Sequence, residues 1–238
     1  MQTYDNKRVI YAIGDVHGEA SRLRQLHGHI FERHAFAYPE KSILIVHLGD
    51  YVDRGSDSAG VIDTIMQLEG RDDVSCISLR GNHEEMMLDG LAGSFPTAYE
   101  NWLLNGGEAT IRSYKMRGDA SVPDDHIAWL ESCPFIHVES AEKLIFVHAG
   151  LRPDEYPNES PKTYLWTRSR RFFDIESWSN PRLEGWTIVH GHTPTDDFYP
   201  EKCAALATRI NIDTGAVFGG RLTAAIFEPK ATVRYIYA

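Results

Sequence analysis

The sequence predicts an α/β protein in which two mixed β-sheets pack as a central sandwich with flanking helices. Three observations predict it. Through the first ninety residues, short apolar runs alternate with helical patterns, the mark of parallel βαβ units. These runs are almost continuously apolar, as strands buried on both faces are. From Lys143 onward the runs return with short connections, as in a second, mixed sheet.

Each element has its own signal. Val9–Ile13 ("VIYAI") is β-rich and is followed by "GDVHG". Leu23, Leu26, Ile30 and Phe31 then recur on one helical face. Ile43–Leu48 ("ILIVHL") leads into "GDYVDRG". Ser56, Asp57 and Ser58 can cap the next helix, which carries Val61, Ile62, Ile65 and Met66. Val74–Leu79 ("VSCISL") leads into "RGNHE", and Glu84 to Leu88 read as helical. The stretch around 90–142 lacks this rhythm. It reads as a small helical insertion with Trp102, Leu103, Leu104, Ile127, Trp129 and Leu130 as apolar anchors. The later runs "LIFVH", "WTIVH", "RINID", "LTAAIF" and "TVRYIY" supply the second sheet. The chain is read as one domain spanning residues 1–238.

Composition narrows the function. With 42% hydrophobic and 24% charged residues over 238 positions, the chain can bury a sizeable core. A net charge of −10 argues against a nucleic-acid binder. The polar start, residues 1–7, carries no apolar signal segment, and no run is long enough to span a membrane. Cys76, Cys133 and Cys203 are far apart, so neither a disulfide framework nor a thiolate zinc site is expected, as suits a reducing cytoplasm.

The chemistry sits where the strands end. Asp15, Asp50 and Asn82 each follow a glycine just as the chain leaves the sheet. Glycine lets the backbone turn sharply and approach closely, so three oxygen donors can aim at one point. His17 lies two residues after Asp15, and His148 closes "LIFVH". In "VHGHT", His192 is the residue one past the glycine and is read as the ligand, with His190 as a packing residue. An extended strand would put both on one face, so the residues alone leave that choice open. Carboxylates, an amide and imidazoles without thiolate suit manganese, iron or zinc. Six ligands exceed one open site, so two metals sharing Asp50 is the economical reading. His47, inside an apolar strand, reads as a core residue. His27, His29 and His34 read as lying on a surface helix, and His126 and His137 have no motif around them.

"GDxHG", "GDxxDRG", "GNHE", "HAG" and "GHTP", in this order, resemble the phosphoprotein phosphatase branch of the calcineurin-like metallophosphoesterases. The branch includes serine/threonine protein phosphatases and, more distantly, diadenosine tetraphosphate hydrolases. The likeness runs from about Val9 to Phe227, and "NWLLNGG" resembles the compact bacterial and phage-type members. The resemblance implies the metallophosphoesterase sandwich and a dimetal site held by Asp15, His17, Asp50, Asn82, His148 and His192. It implies manganese, with iron or zinc as alternatives, and a metal-bridging hydroxide for in-line attack. His83 is then the general acid, with Asp53 holding its tautomer. Arg54 follows Asp53 and serves as one phosphate clamp. The second falls on Arg168 in "LWTRSRRFF", with Arg170 as the lesser candidate; Arg80 reads as structural.

The activity implied first is a protein serine/threonine phosphatase acting on phosphorylated proteins or phosphorylated small molecules. The alternative is a dinucleoside polyphosphate hydrolase, which would need a base-binding surface from residues such as Tyr99, Trp102 or Trp166. Those are expected in the core, and Glu84 stands where such hydrolases tend to carry Asp. A silent scaffold that only binds phosphorylated partners would have lost a ligand, the acid or a clamp, and none is lost.

Overall fold

Side-chain alternation sorts each central strand between two apolar layers. In the computed structural model, which describes residues 8–228 and 231–238, two five-stranded sheets form. The polar stretch 1–7 lies outside the described residues. In the first sheet, β1 (Arg8–Ile13), β2 (Ser42–His47) and β3 (Ser75–Ser78) run parallel. In the second, β5 (Leu144–Val147), β6 (Thr187–His190) and β8 (Thr208–Asn211) run parallel, with β4 (Ile136–Glu139) and β7 (Glu201–Ala204) antiparallel at the edges.

Ile10, Ala12, Leu44 and Val46 turn inward and meet Phe146, Val189 and Ile210 of the second sheet. Val9, Tyr11 and Ile13 point outward to α1 (Ala20–Ala37) and α2 (Ser58–Glu69). Ile145, Val147 and Ile188 are covered by Tyr164, Phe172, Trp178 and Leu183 on the other outer side. Asp57 caps α2 by accepting the Gly60 N–H at 2.9 Å. Among the described residues no helix is long and apolar enough to cross a membrane.

α3 (Asn82–Ala92) follows β3 and leads into the insertion, which contains α4 (Ala98–Trp102), a kink over Leu103–Gly107 where Gly106 takes φ 110°, α5 (Glu108–Arg117) and α6 (Asp124–Ser132). Three strands differ from expectation. β9 (Thr223–Phe227) and β10 (Arg234–Tyr237), expected in the second sheet, join the first: β9 pairs antiparallel with β1. Their apolar runs announce strands, but a partner more than two hundred residues away is a choice made by packing. β4 lies inside the stretch read as helical, because His137 and Glu139 break the apolar run of this edge strand. The anchors also divide: Trp102 and Leu130 are fully buried, whereas Leu104 is 85% exposed.

His27, expected on a surface, is buried, with its Nε2 3.0 Å from His47 Nε2. It faces the sheet with Leu23, Leu26 and Ile30, and only a polar partner inside makes that face acceptable to a histidine.

Candidate metal centre

Loops from both sheets meet at the end of the sandwich where the parallel strands finish. β1, β2 and β3 lead to Asp15 with His17, to Asp50 and to Asn82 with His83. β5, β6 and β8 lead to His148, His192 and Asp213. All ten of the expected site residues come to this end, and eight of them, all but Arg54 and Arg168, are at most 5% exposed.

Two groups of ligand-type atoms form here, and Asp50 belongs to both. One is His17, Asp50 and His83; the other is Asp50, His148 and His192; within each group the atoms lie within 4.8 Å of one another. Asp50 Oδ2 is 3.4 Å from His17 Nε2, and Oδ1 is 3.3 Å from His148 Nε2. Asn82 Oδ1 joins the second group, 2.7 Å from His192 Nδ1 and 2.9 Å from His148 Nε2.

The partners set the tautomers. His17 Nδ1 donates to the Val52 carbonyl at 2.8 Å, and His148 Nδ1 to the Leu48 carbonyl at 2.9 Å. A carbonyl only accepts, so each neutral ring turns the lone pair of Nε2 toward Asp50. Burial pushes His17 down to about 3 and lowers His148 and His192 as well, so all three are neutral near pH 7. Burial alone would raise the Asp50 carboxyl, but His148, His83, His17 and His192 around it hold it well below the usual range. The Nε2 lone pairs of His17 and His148 converge on an ionised carboxylate and an amide oxygen, and that donor set fits divalent cations; His192 Nδ1 faces the same point, but in the neutral ring its lone pair is on Nε2, where Arg168 donates.

Asp15 belongs to neither group. Its carboxylate accepts the His192 backbone N–H at 3.0 and 3.2 Å. A Cβ at Gly191 would lie 2.0 Å from Asp15 Oδ1, so only glycine lets the "VHGHT" loop close over that carboxylate. Burial, then Asp213 and Asp50, raise the Asp15 carboxyl. Asp213 was not expected here. It is buried beside Asp15, and burial pushes it up to about 7. It stands two residues past β8 as Asp15 stands two past β1, but no glycine precedes it, and that was the signal the pattern relied on.

His83 has the opposite character. Its Nδ1 lies 2.7 Å from Asp53 Oδ2. Burial works against its charge, yet Asp50 and the hydrogen bond and charge of Asp53 raise its pKa overall. Asp53 Oδ1 accepts Trp102 Nε1 at 2.9 Å and Thr110 Oγ1 at 2.7 Å. Both donors come from the insertion, which explains "NWLLNGG": a Cβ at Gly107 would lie 2.6 Å from the Trp102 ring, and the Gly106 carbonyl accepts the Arg54 N–H at 3.2 Å.

Glu84 is a brace. Its two oxygens accept the N–H groups of Asp50, Tyr51, Val52 and Gly81 at 2.7–3.2 Å. Arginines flank the centre. Arg54 Nη1 bonds His17 Nε2, and its guanidinium lies 5.6 Å from the Phe218 ring. Arg168 Nε donates to His192 Nε2 at 3.0 Å. Arg80 faces away, paired with Glu85 at 2.9 Å. His190 is engaged elsewhere: Arg209 Nη1 donates to its Nε2 at 3.0 Å, Nδ1 lies 3.1 Å from the Gly191 carbonyl, and its ring packs on Phe172 and Phe173.

The backbone is strained in the same place. Among the described residues, seven non-glycine residues have positive φ, and five are His17, Asp50, Asp53, Arg54 and His192, at 43° to 72°. Such conformations cost about 1–3 kcal/mol each and persist where surrounding structure imposes them, as at ligand sites.

The family model for calcineurin-like phosphoesterases matches residues 8–220. The chain is 28% identical over 240 residues to the asymmetrical bis(5'-nucleosyl)-tetraphosphatase PrpE of Geobacillus thermodenitrificans, covering 93% of this chain and 91% of that protein. It is 30% identical over 233 residues to serine/threonine-protein phosphatase 1 of Salmonella typhimurium, covering 92% of each. A protein serine/threonine phosphatase structure from Saccharomyces cerevisiae superposes with a TM-score of 0.59 at 17% identity, covering 98% of this chain and 81% of that one.

Proposed function

This chain belongs to the calcineurin-like phosphoesterase family and is a metallophosphoesterase, and we propose that its substrates are phosphoserine and phosphothreonine in proteins. One observation carries the reading of the centre. Two groups of ligand-type atoms share the buried Asp50, one with His17 and one with His148 and His192, and His83, which falls within the first group, is held on Nδ1 by Asp53 and has a raised pKa.

In this reading Asp15, His17, Asp50, Asn82, His148 and His192 hold two divalent ions, manganese first. Bound there, the ions activate water and neutralise phosphoryl oxygens as Lewis acids. Arg54 and Arg168 orient those oxygens from opposite flanks, each offering a planar set of donors. His83 carries the proton on Nε2 and delivers it to the leaving oxygen, while Asp53 holds Nδ1. We place the protein in the cytoplasm, where Cys76, Cys133 and Cys203, all unpaired, stay reduced.

A second reading is dinucleoside polyphosphate hydrolysis. It is favoured by the PrpE likeness across 93% of the chain. Glu84 does not weigh against it, because that side chain is fully buried under the Asp50 loop and faces no substrate. The test is phosphate release by the manganese-loaded protein from a phosphoserine peptide and from diadenosine tetraphosphate, the latter with added phosphatase. Faster turnover of the peptide supports the first reading; faster turnover of the dinucleotide replaces it with the second.

A further inference from the structure

We propose that the cavity between the insertion and α7 (Pro161–Trp166) is a nucleobase subsite, so that the ligands of this centre include nucleotides. This deepens the second reading above and rests on it for the substrate, though not for binding. The cavity measures about 430 Å³, within the usual range for small-molecule sites. It is one side chain from the centre: Trp166 lines it, and the Trp166 ring lies 6.2 Å from that of His192.

Its lining combines ring surface, amides, a carboxylate and a cation. Phe95 and Trp166, 45% and 41% exposed, offer apolar ring surface inside it. The polar groups there offer both acceptors and donors. Asn105 Nδ2 gives one of its two N–H groups to the Asn101 carbonyl at 2.8 Å, and Asn101 Nδ2 gives one to Thr97 Oγ1 at 3.4 Å, which leaves each amide an oxygen and a second N–H. Asp89 adds a carboxylate. Amides and a carboxylate suit the amino group and ring nitrogens of a base. Lys162 lines this cavity and also a second one, of about 330 Å³, that it shares with Trp166, Arg152 and Arg168. Arg168 already touches His192, so a phosphate on that side continues into the metal centre. A base stacked on Phe95 and Trp166 would therefore point its phosphates toward Lys162 and Arg168.

The test compares AMP with ribose 5-phosphate as competitors of p-nitrophenyl phosphate hydrolysis by the manganese-loaded protein. The two differ only in the base. AMP should compete about tenfold or more better, the gain that stacking of one base brings. Phe95→Ala should remove most of that advantage while leaving kcat on p-nitrophenyl phosphate unchanged, and Asp89→Asn should weaken AMP alone. Equal competition by AMP and ribose 5-phosphate in the wild type overturns the proposal, whatever the variants do. If AMP shows no advantage and Phe95→Ala instead raises KM for a phosphoserine peptide, the cavity belongs to a peptide and the proposal also falls. An AMP advantage without cleavage of diadenosine tetraphosphate sinks the dinucleotide reading and leaves the subsite standing. Cleavage without an AMP advantage does the reverse.

Discussion

Trp102 reaches from the insertion into the acid–base pair: its indole N–H donates to Asp53 Oδ1 at 2.9 Å, and the other oxygen of that carboxylate lies 2.7 Å from His83 Nδ1. A tryptophan that composition assigns to the core therefore also orients a polar group. Trp102→Phe keeps most of the ring but deletes the donor. Turnover of p-nitrophenyl phosphate should fall about tenfold, the scale of lost outer-sphere hydrogen bonds, with bound manganese unchanged. Unaltered kcat would mean that Thr110 alone suffices to hold Asp53.

Removing the proposed acid should be more severe. His83→Asn keeps a polar side chain but cannot deliver a proton. Turnover of alkyl phosphoesters should drop by about 10²–10⁴ while metal content stays whole. Wild-type rates in this variant would remove His83 from the mechanism, and lost metal would move it among the ligands, a role its place in the first group permits.

The two histidines of "VHGHT" should separate by readout. His192→Ala should lower manganese occupancy, measured by elemental analysis, because Nδ1 points at Asn82 Oδ1 and His148 Nε2. His190→Ala should leave occupancy closer to wild type and lower Tm instead, since it empties space against Phe172 and strips Arg209 of a partner. The reverse order would exchange the assignments.

Glu84→Asp draws the carboxylate back by one methylene and cannot serve all four amides. Each charged hydrogen bond lost is worth about 1.5–3 kcal/mol, so Tm should fall clearly. The ratio of rates on phosphopeptide and diadenosine tetraphosphate should not move, because Glu84 only braces the loop. A shifted ratio would restore Glu84 as a determinant of substrate.

Acid should destabilise the fold partly through His27. Burial lowers it from 6.5 to about 4. Below 6.5 the unfolded chain takes up a proton that folded His27 refuses, so its contribution is whole above 6.5 and is lost as pH falls toward 4. His27→Gln keeps a donor for His47 and removes the titration. The variant should gain Tm relative to wild type steadily as pH drops through this window. A difference in Tm that stays constant with pH would show that folded His27 titrates normally.

The sequence by itself determined the βαβ rhythm, the identity of the strand-end loops and ten residues that come to one end of the sandwich. For Asp15, Asp50, Asn82 and His192 the signal is local, an apolar run, then a glycine turn, then a donor, whereas Arg168 came from the resemblance to the family. Tertiary structure alone decided what is not local. The pairing of β9 with β1 depends on which sheet edge is left open, and no spacing encodes that. His27 looks like a surface residue until His47 stands opposite it. Trp102 looks like core until Asp53 is found beside its N–H. Asp213 lacks the glycine that marked its counterparts, and becomes conspicuous only where burial sets it beside Asp15. Each is a contact between distant segments, and the low dielectric of the interior makes such a contact matter by penalising every polar group left without a partner.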